Sequence, residues 1–274
     1  MKLMKILLPV LTLLALVLYG MVQIRERLFT DTEPPVISFD SDTVTISVRD
    51  GEAALLAGVT ASDRQDGDLS QSVMVRSVSQ LISGNSAKVS YIVFDSADNM
   101  ATAARTVVYA DYQKPRFALS EPLAFSAGST VTLQDRLSAT DVIDGDLTDS
   151  IRLSSDSLNN YTPGLYKISV MVTNSMGDTA TLPLTVIIRA VTTQVPVITL
   201  SQQLIYLEQG SEFHAEDYLS GLQETTEDPA LHDYDEIAIR SEVDTGAAGV
   251  YEVYYTYTNE LGRDTTAILT VVVE

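Results

Sequence analysis

The stretch Ala61-Ser62-Asp63-Arg64-Gln65-Asp66-Gly67-Asp68-Leu69-Ser70 returns as Ala139-Thr140-Asp141-Val142-Ile143-Asp144-Gly145-Asp146-Leu147-Thr148. Both copies read Ala-[Ser/Thr]-Asp-x-x-Asp-Gly-Asp-Leu-[Ser/Thr], and the period from Asp63 to Asp141 is 78 residues. A fixed period of that size means that one structural unit has been copied along the chain. In 274 residues it leaves room for three small domains behind a short leader.

Other landmarks keep the same spacing. A proline precedes a short apolar run at Pro35, Pro115 and Pro196, where a missing N–H costs no ladder bond. Later in each unit a segment alternates with period two, as a half-buried strand does: Asn85 to Val93, Gly164 to Val172 and Gly249 to Tyr257. Turn-forming Asn, Asp and Gly follow each, and a last strand closes each copy over residues 102–109, 181–188 and 265–273. No long stretch after residue 30 keeps a helical period. The expected fold is therefore all-β: three tandem Ig-like antiparallel β-sandwiches, over residues 34–113, 114–192 and 193–274. With strands of about 8–10 residues each module would be about 30 Å long, and three in line would reach on the order of 100 Å.

Within the second alternating strand, Gly164-x-Tyr166-x-Ile168 and Gly249-x-Tyr251-x-Val253 have the form of a tyrosine corner. There a tyrosine hydroxyl bonds back to upstream backbone, two residues before a core position. Gly164, Tyr166, Gly249 and Tyr251 are thus expected to be structural. The first copy has Asn85-x-Ala87 instead and must close its corner another way.

These residues resemble the bacterial Ig-like repeats of Gram-positive surface proteins, a type also found in pesticidal crystal proteins. The pattern is Pro-x-Ile, a glycine, Asp-x-x-Asp-Gly-Asp-Leu, Gly-x-Tyr-x-Val and an Asn/Asp-x-x-Gly turn. It covers residues 34–192 well and 193–274 in part. The resemblance implies extracellular display, adhesion or spacing, and the fold alone licenses no more.

Lys2 and Lys5 precede an apolar run from Ile6 to Val22 that Ile24 extends. About 20 such residues in a helix cross a hydrocarbon core of roughly 30 Å. Residues 1–30 are therefore read as an uncleaved signal anchor, a single-pass transmembrane helix. A cleaved signal peptide is the alternative, although Leu18-Tyr19-Gly20 puts leucine where a small residue should stand. The positive-inside rule places the N-terminus in the cytoplasm and the C-terminal domains outside the cell. The chain carries 17 basic against 37 acidic residues and no Lys/Arg cluster, which argues against a nucleic-acid partner. It has no cysteine, so each domain must hold by its core alone.

The third copy departs from the pattern. Its acidic repeat is gone, and Glu212–Glu236 is instead a long acidic stretch, read as a loop, with both histidines, His214 and His232. Seven of the 13 tyrosines also lie in this copy, and by strand alternation Tyr254 points outward. Tyr254, His232 and Asp233 are the candidate binding residues. Asp63, Asp66 and Asp68, with Asp141, Asp144 and Asp146, could offer oxygen ligands to Ca²⁺. The alternative is a tight turn in which Gly67 or Gly145 takes φ > 0 and the carboxylates cap backbone N–H groups. Calcium apart, no cofactor is expected. No serine-nucleophile motif or phosphate-cradling loop is present, so no enzymatic activity is expected. The function expected is that of a membrane-anchored spacer or adhesion protein. The alternative is a module that binds a cell-envelope glycan or surface protein, with specificity in the third domain.

Overall fold

The computed structural model describes residues 11–21, 31–154, 158–224 and 234–274. The chain divides into two compact units, residues 1–111 and 112–274. Residues 11–21 are helical, and Leu13, Leu16 and Met21 there are each more than 60% exposed. No helix among the described residues is long and apolar enough to cross a membrane. The remainder of the expected span, residues 6–10 and 22–30, lies outside the described residues.

The first unit holds β1 (Val36–Phe39), β2 (Thr43–Ile46), β3 (Val59–Asp63), β4 (Gly67–Asp68), β5 (Met74–Val78), β6 (Ser86–Phe94) and β7 (Met100–Tyr109). They form two sheets, β1-β3-β4 and β2-β7-β6-β5. The core follows from period two on β6: Ala87, Val89, Tyr91 and Val93 are fully buried while the residues between them are not.

The second unit repeats this plan twice. β8 (Arg116–Leu119), β9 (Ala124–Ser126), β10 (Leu137–Asp141), β11 (Gly145–Asp146), β12 (Arg152–Ser154), β13 (Gly164–Thr173) and β14 (Thr179–Arg189) build sheets β11-β10-β8 and β12-β13-β14-β9. β15 (Val197–Leu200), β16 (Leu204–Leu207), β17 (Leu219–Gln223), β18 (Ala238–Ser241), β19 (Gly249–Thr258) and β20 (Asp264–Val273) build sheets β15-β17 and β16-β20-β19-β18. Each copy has its own buried face. Ile168, Val170, Leu182, Leu184 and Val186 fill one core, and Val253, Tyr255, Leu269 and Val271 fill the other.

Two features differ from the sequence expectation. The sheets are not wholly antiparallel, because β2, β9 and β16 each pair in parallel with the last strand of their copy, β7, β14 and β20. The first strand of each copy pairs in one sheet, after which the chain crosses over and lines the edge of the other. Glu212–Glu236 is also not one loop. Residues Ala215–Tyr218 form a 3-10 turn, and Leu219–Gln223 is β17, with Leu222 only 2% exposed. The acidic flanks hid a strand that pairs with β15 through a bulge at Thr199/Leu200.

The second and third sandwiches also pack against each other. Leu204, Val250 and Val272 of the third lie against the core cluster of the second. Thr185 and Ile187 on β14, and Thr270 on β20, are therefore buried although they face away from their own cores.

Candidate functional site

In the acidic repeats each carboxylate has a separate task. Gly67 and Gly145 adopt φ of 76° and 75°, which tightens the turn between two short paired strands. Asp63 accepts from the backbone N–H of Gln65 (2.6 Å) and Asp66 (2.9 Å). Asp141 accepts likewise from Ile143 (2.8 Å) and Asp144 (3.0 Å). Asp66 reaches across to the N–H and hydroxyl of Ser96 (2.6 and 2.8 Å), and Asp144 does the same at Ser175 (2.6 Å for both). Asp68 caps Ser70 and Asp146 caps Thr148, each through a backbone N–H at 2.9 Å. Hydrogen bonds from Ser70 and Thr148 hold these last two carboxyls below their ordinary value. The motif joins the β3–β4 hairpin to the β6–β7 turn, and its counterpart joins β10–β11 to the β13–β14 turn.

The six candidate ligands thus do not converge as two sets of three. Among the described residues, the carboxylates that do approach one another are Asp31, Asp63 and Asp95, with one oxygen from each within 4.8 Å of the others. Asp63 and Asp95 are buried. The trio could hold a hard cation through carboxylate oxygens. Its equivalent in the second sandwich uses an amide: Asn174 Nδ2 donates to Asp141 (3.2 Å) and to the Tyr112 hydroxyl (3.0 Å). Sequence reasoning missed Asp31 and Asp95. The available signal was Asp95 standing where the other copies carry Asn174 and Asn259.

The corner tyrosines form the bonds that the sequence suggests. Tyr166 donates to the Thr162 carbonyl (2.8 Å) and Tyr251 to the Ala247 carbonyl (3.0 Å). A Cβ at Gly164 or Gly249 would meet the tyrosine ring at 3.6 or 3.4 Å, so the ring lies over the glycine in ordinary contact. Both bonds lie near the surface, not in the core. The first copy closes its corner with Asn85, whose Nδ2 donates to the Tyr109 carbonyl (2.8 Å).

Four positions beyond the corner, β6 and β19 each carry a fully buried tyrosine. Tyr91 donates to the Leu55 carbonyl (2.6 Å), and Tyr255 to the Ala215 carbonyl (2.7 Å). In the first copy Arg105 joins it, in the register position that Leu184 and Leu269 fill elsewhere. Arg105 is 3% exposed, donates to Tyr91 (2.9 Å), Leu55 O (3.0 Å) and Ala57 O, and lies 5.4 Å from the Phe39 ring centroid.

Tyr254 does sit on the outer face of β19, but that face meets the second sandwich. Its hydroxyl donates to Glu252, and Lys167 of β13 stands 6.0 Å from its ring centroid on its way to an ion pair with Glu252. The Thr185 hydroxyl also donates to Glu252 (2.7 Å). Burial pushes the Glu252 carboxyl up, and bonds from Lys167, Tyr254 and Thr185 outweigh it, leaving the group below its ordinary value. Elsewhere on the seam Tyr206 accepts from the Phe117 N–H (2.9 Å) and stacks on Arg116, which pairs with Glu274. Tyr254 is therefore committed, at least in part, to joining two modules. His214 is exposed just before the 3-10 turn, and His232 and Asp233 lie outside the described residues.

Residues 198–273 match the family described as bacterial surface protein, Ig-like domain. The match falls on the copy in which the sequence resemblance is weakest. No curated protein matches the chain. Solved structures similar to it include the M60 catalytic domain of Clostridium perfringens ZmpB with its two CBM51 domains, at 12% identity and TM-score 0.25. That alignment covers 88% of this chain, which spans 31% of the length of the solved one. A Bacteroides thetaiotaomicron lipoprotein is also similar, at 12% identity and TM-score 0.24, covering 57% of this chain and 98% of its own. So is a protocadherin gammaB7 EC3-6 cis-dimer, at 12% and 0.22, covering 88% and 74%.

Proposed function

We propose that the chain is a surface interaction protein of spacer type, anchored by its N-terminal apolar segment, with its sandwiches displayed outside the cell. A surface Ig-like domain fits an extracellular interaction or adhesion role, and the family match of residues 198–273 supports that much. The observation that carries the anchoring is the apolar run from Ile6 to Val22. Its described part, residues 11–21, is helical and exposes leucines that in water would be costly to leave uncovered. The architecture suits a spacer. The sandwich plan recurs three times, and the acidic turn that staples hairpin to hairpin recurs in the first two copies. Neighbouring modules two and three are joined through Glu252. The test is protease accessibility on intact cells. Digestion of the sandwiches with retention of a membrane-bound N-terminal remnant is the expected result, and complete protection of the chain would overturn the reading.

A further inference from the structure

A crevice of about 200 Å³ opens beside β12, the edge strand of the second sandwich's four-stranded sheet. Leu133, Leu137 and Val170 on its wall belong to the core of that sandwich. Leu153 and Gln134, both exposed, bring it to the surface. Among the described residues that line it, Gln134 alone is polar. Val170 lies on the inward alternation of β13, between buried Ile168 and Val172, so the crevice is on the core side of the sheet.

The repeats show what fills this place elsewhere. Val170 stands where the other two copies carry the fully buried Tyr91 and Tyr255. Each of the three pairs with an inward residue of its edge strand: Leu153, Val75 and Ile239 respectively. The tyrosines run from the strand to a carbonyl four residues before β3 or β17, that of Leu55 or Ala215. The counterpart four residues before β10 is Leu133. The crevice thus touches both ends of the line that a tyrosine spans in the sister modules, and valine is too short to bridge it. Leu182 stands across from Val170 where Ala103 and Ala267 face the tyrosines, but it fills the β14 side and does not line the crevice. Leu153 marks the gap: it is 49% exposed, whereas Val75 and Ile239 are half-buried.

Packed interiors keep few voids larger than a water molecule, and an apolar cavity of about 150 Å³ can hold a benzene ring. The far end of the crevice differs from its sisters in one respect. The Leu55 and Ala215 carbonyls accept from a tyrosine hydroxyl, but the Leu133 carbonyl already accepts from the N–H groups of Arg136 (3.0 Å) and Leu137 (2.8 Å). A carbonyl oxygen has two lone pairs, so none is left there for a ligand hydroxyl. We propose that the crevice binds a small free aromatic molecule with an apolar ring, such as toluene, in the place that the tyrosine ring takes in the other copies. The site goes beyond the spacer reading and does not depend on membrane anchoring.

The test uses the full chain in lipid nanodiscs, with leucine and valine methyl groups labelled for NMR. The ligands are toluene, phenol and the tripeptide Gly-Phe-Gly. Toluene is expected to give saturable ring-current shifts at the methyls of Leu133, Leu137, Leu153 and Val170, while those of Leu222 and Leu269 in the third core stay unmoved. Phenol should bind at least roughly fivefold more weakly, because its hydroxyl finds no acceptor at Leu133. Val170→Phe should fill the crevice, abolish the shifts at Leu133 and Leu153 and raise the melting temperature. If that variant fails to fold, the wild-type titration decides alone, because Leu133 and Val170 are core residues that a ligand on the outer surface does not touch. Several results would overturn the proposal: no saturable shift at Leu133 and Val170, phenol as tight as toluene, shifts with the tripeptide alone, or undiminished toluene shifts in a folded Val170→Phe chain.

Discussion

Glu252→Ala should loosen the joint between the second and third sandwiches by about 2–4 kcal/mol. The Thr185 hydroxyl, 6% exposed, would lose its acceptor, which costs about 1–3 kcal/mol for a buried group. The half-buried Tyr254 hydroxyl adds about 1 kcal/mol. The Lys167 ion pair adds little, because the lysine side chain is 66% exposed and solvent screening leaves such a pair worth about 0–1 kcal/mol. Glu252→Gln keeps the shape and one acceptor oxygen, so about 1–2 kcal/mol is expected. Urea unfolding followed by tyrosine fluorescence suits a chain with 13 tyrosines and no tryptophan. The midpoint should fall with the slope unchanged. A double-mutant cycle with Thr185→Val should return a coupling of about 1–2 kcal/mol. If Glu252→Ala and Glu252→Gln both melt within about 0.5 kcal/mol of wild type, the seam is not held as described.

The same carboxyl sets a pH dependence. Its folded value lies below the ordinary 4.5, so its contribution is present above that pH and lost as pH falls through the folded value. Melts between pH 6 and about 3 should therefore show a shallower loss in Glu252→Gln than in wild type. Arg105→Ala should cost the first unit about 3–5 kcal/mol, since a cavity opens beneath the Leu55 and Ala57 carbonyls. Arg105→Leu, the residue type used by both other copies, should still cost about 1–3 kcal/mol, and a variant as stable as wild type would refute the role assigned to the arginine. Tyr166→Phe and Tyr251→Phe should each cost about 0.5–1.5 kcal/mol in melts, the range for a hydrogen bond whose acceptor stays wet. In Ca²⁺ titrations of the first unit's trio, Asp95→Asn is expected to change the response, whereas Asp68→Asn, which alters a carboxylate already bonded to Ser70, is not.

What could be read from the sequence was what neighbouring residues encode. Alternation exposed the long strands because Val89, Ile168 and Val253 each sit between polar residues on a two-residue period. The corner tyrosines were visible because Tyr166 and Tyr251 bond to carbonyls only four residues back. What depends on distant partners was not visible. Lys167 and Glu252 are 85 residues apart, so no window of sequence shows that the outward Tyr254 meets another module. Asp31, Asp63 and Asp95 come from three segments about 32 residues apart, before β1, at the end of β3 and after β6, which is why the carboxylates close in sequence were grouped instead. β17 escaped notice because Leu219 and Leu222 are three apart and straddle Gly221, a spacing that does not alternate. Arg105 was unremarkable as text, and only its register opposite Val89 shows that a cation occupies a leucine's place.

The parallel edge pairs have a mechanical consequence. In each sandwich a strand near the start of the chain runs alongside the final strand, as in the register Thr43↔Thr106 through Ile46↔Tyr109. Because the two run the same way, tension applied between the two ends of a module draws them in opposite directions along their common axis. The bonds of the pair then bear the load together, sliding rather than opening one at a time from an end. The four registered pairs of β16 with β20, and the three of β9 with β14, are placed the same way. Each module thus carries its own shear clamp on its final strand, which a pull along the chain must break before that strand can leave its sheet.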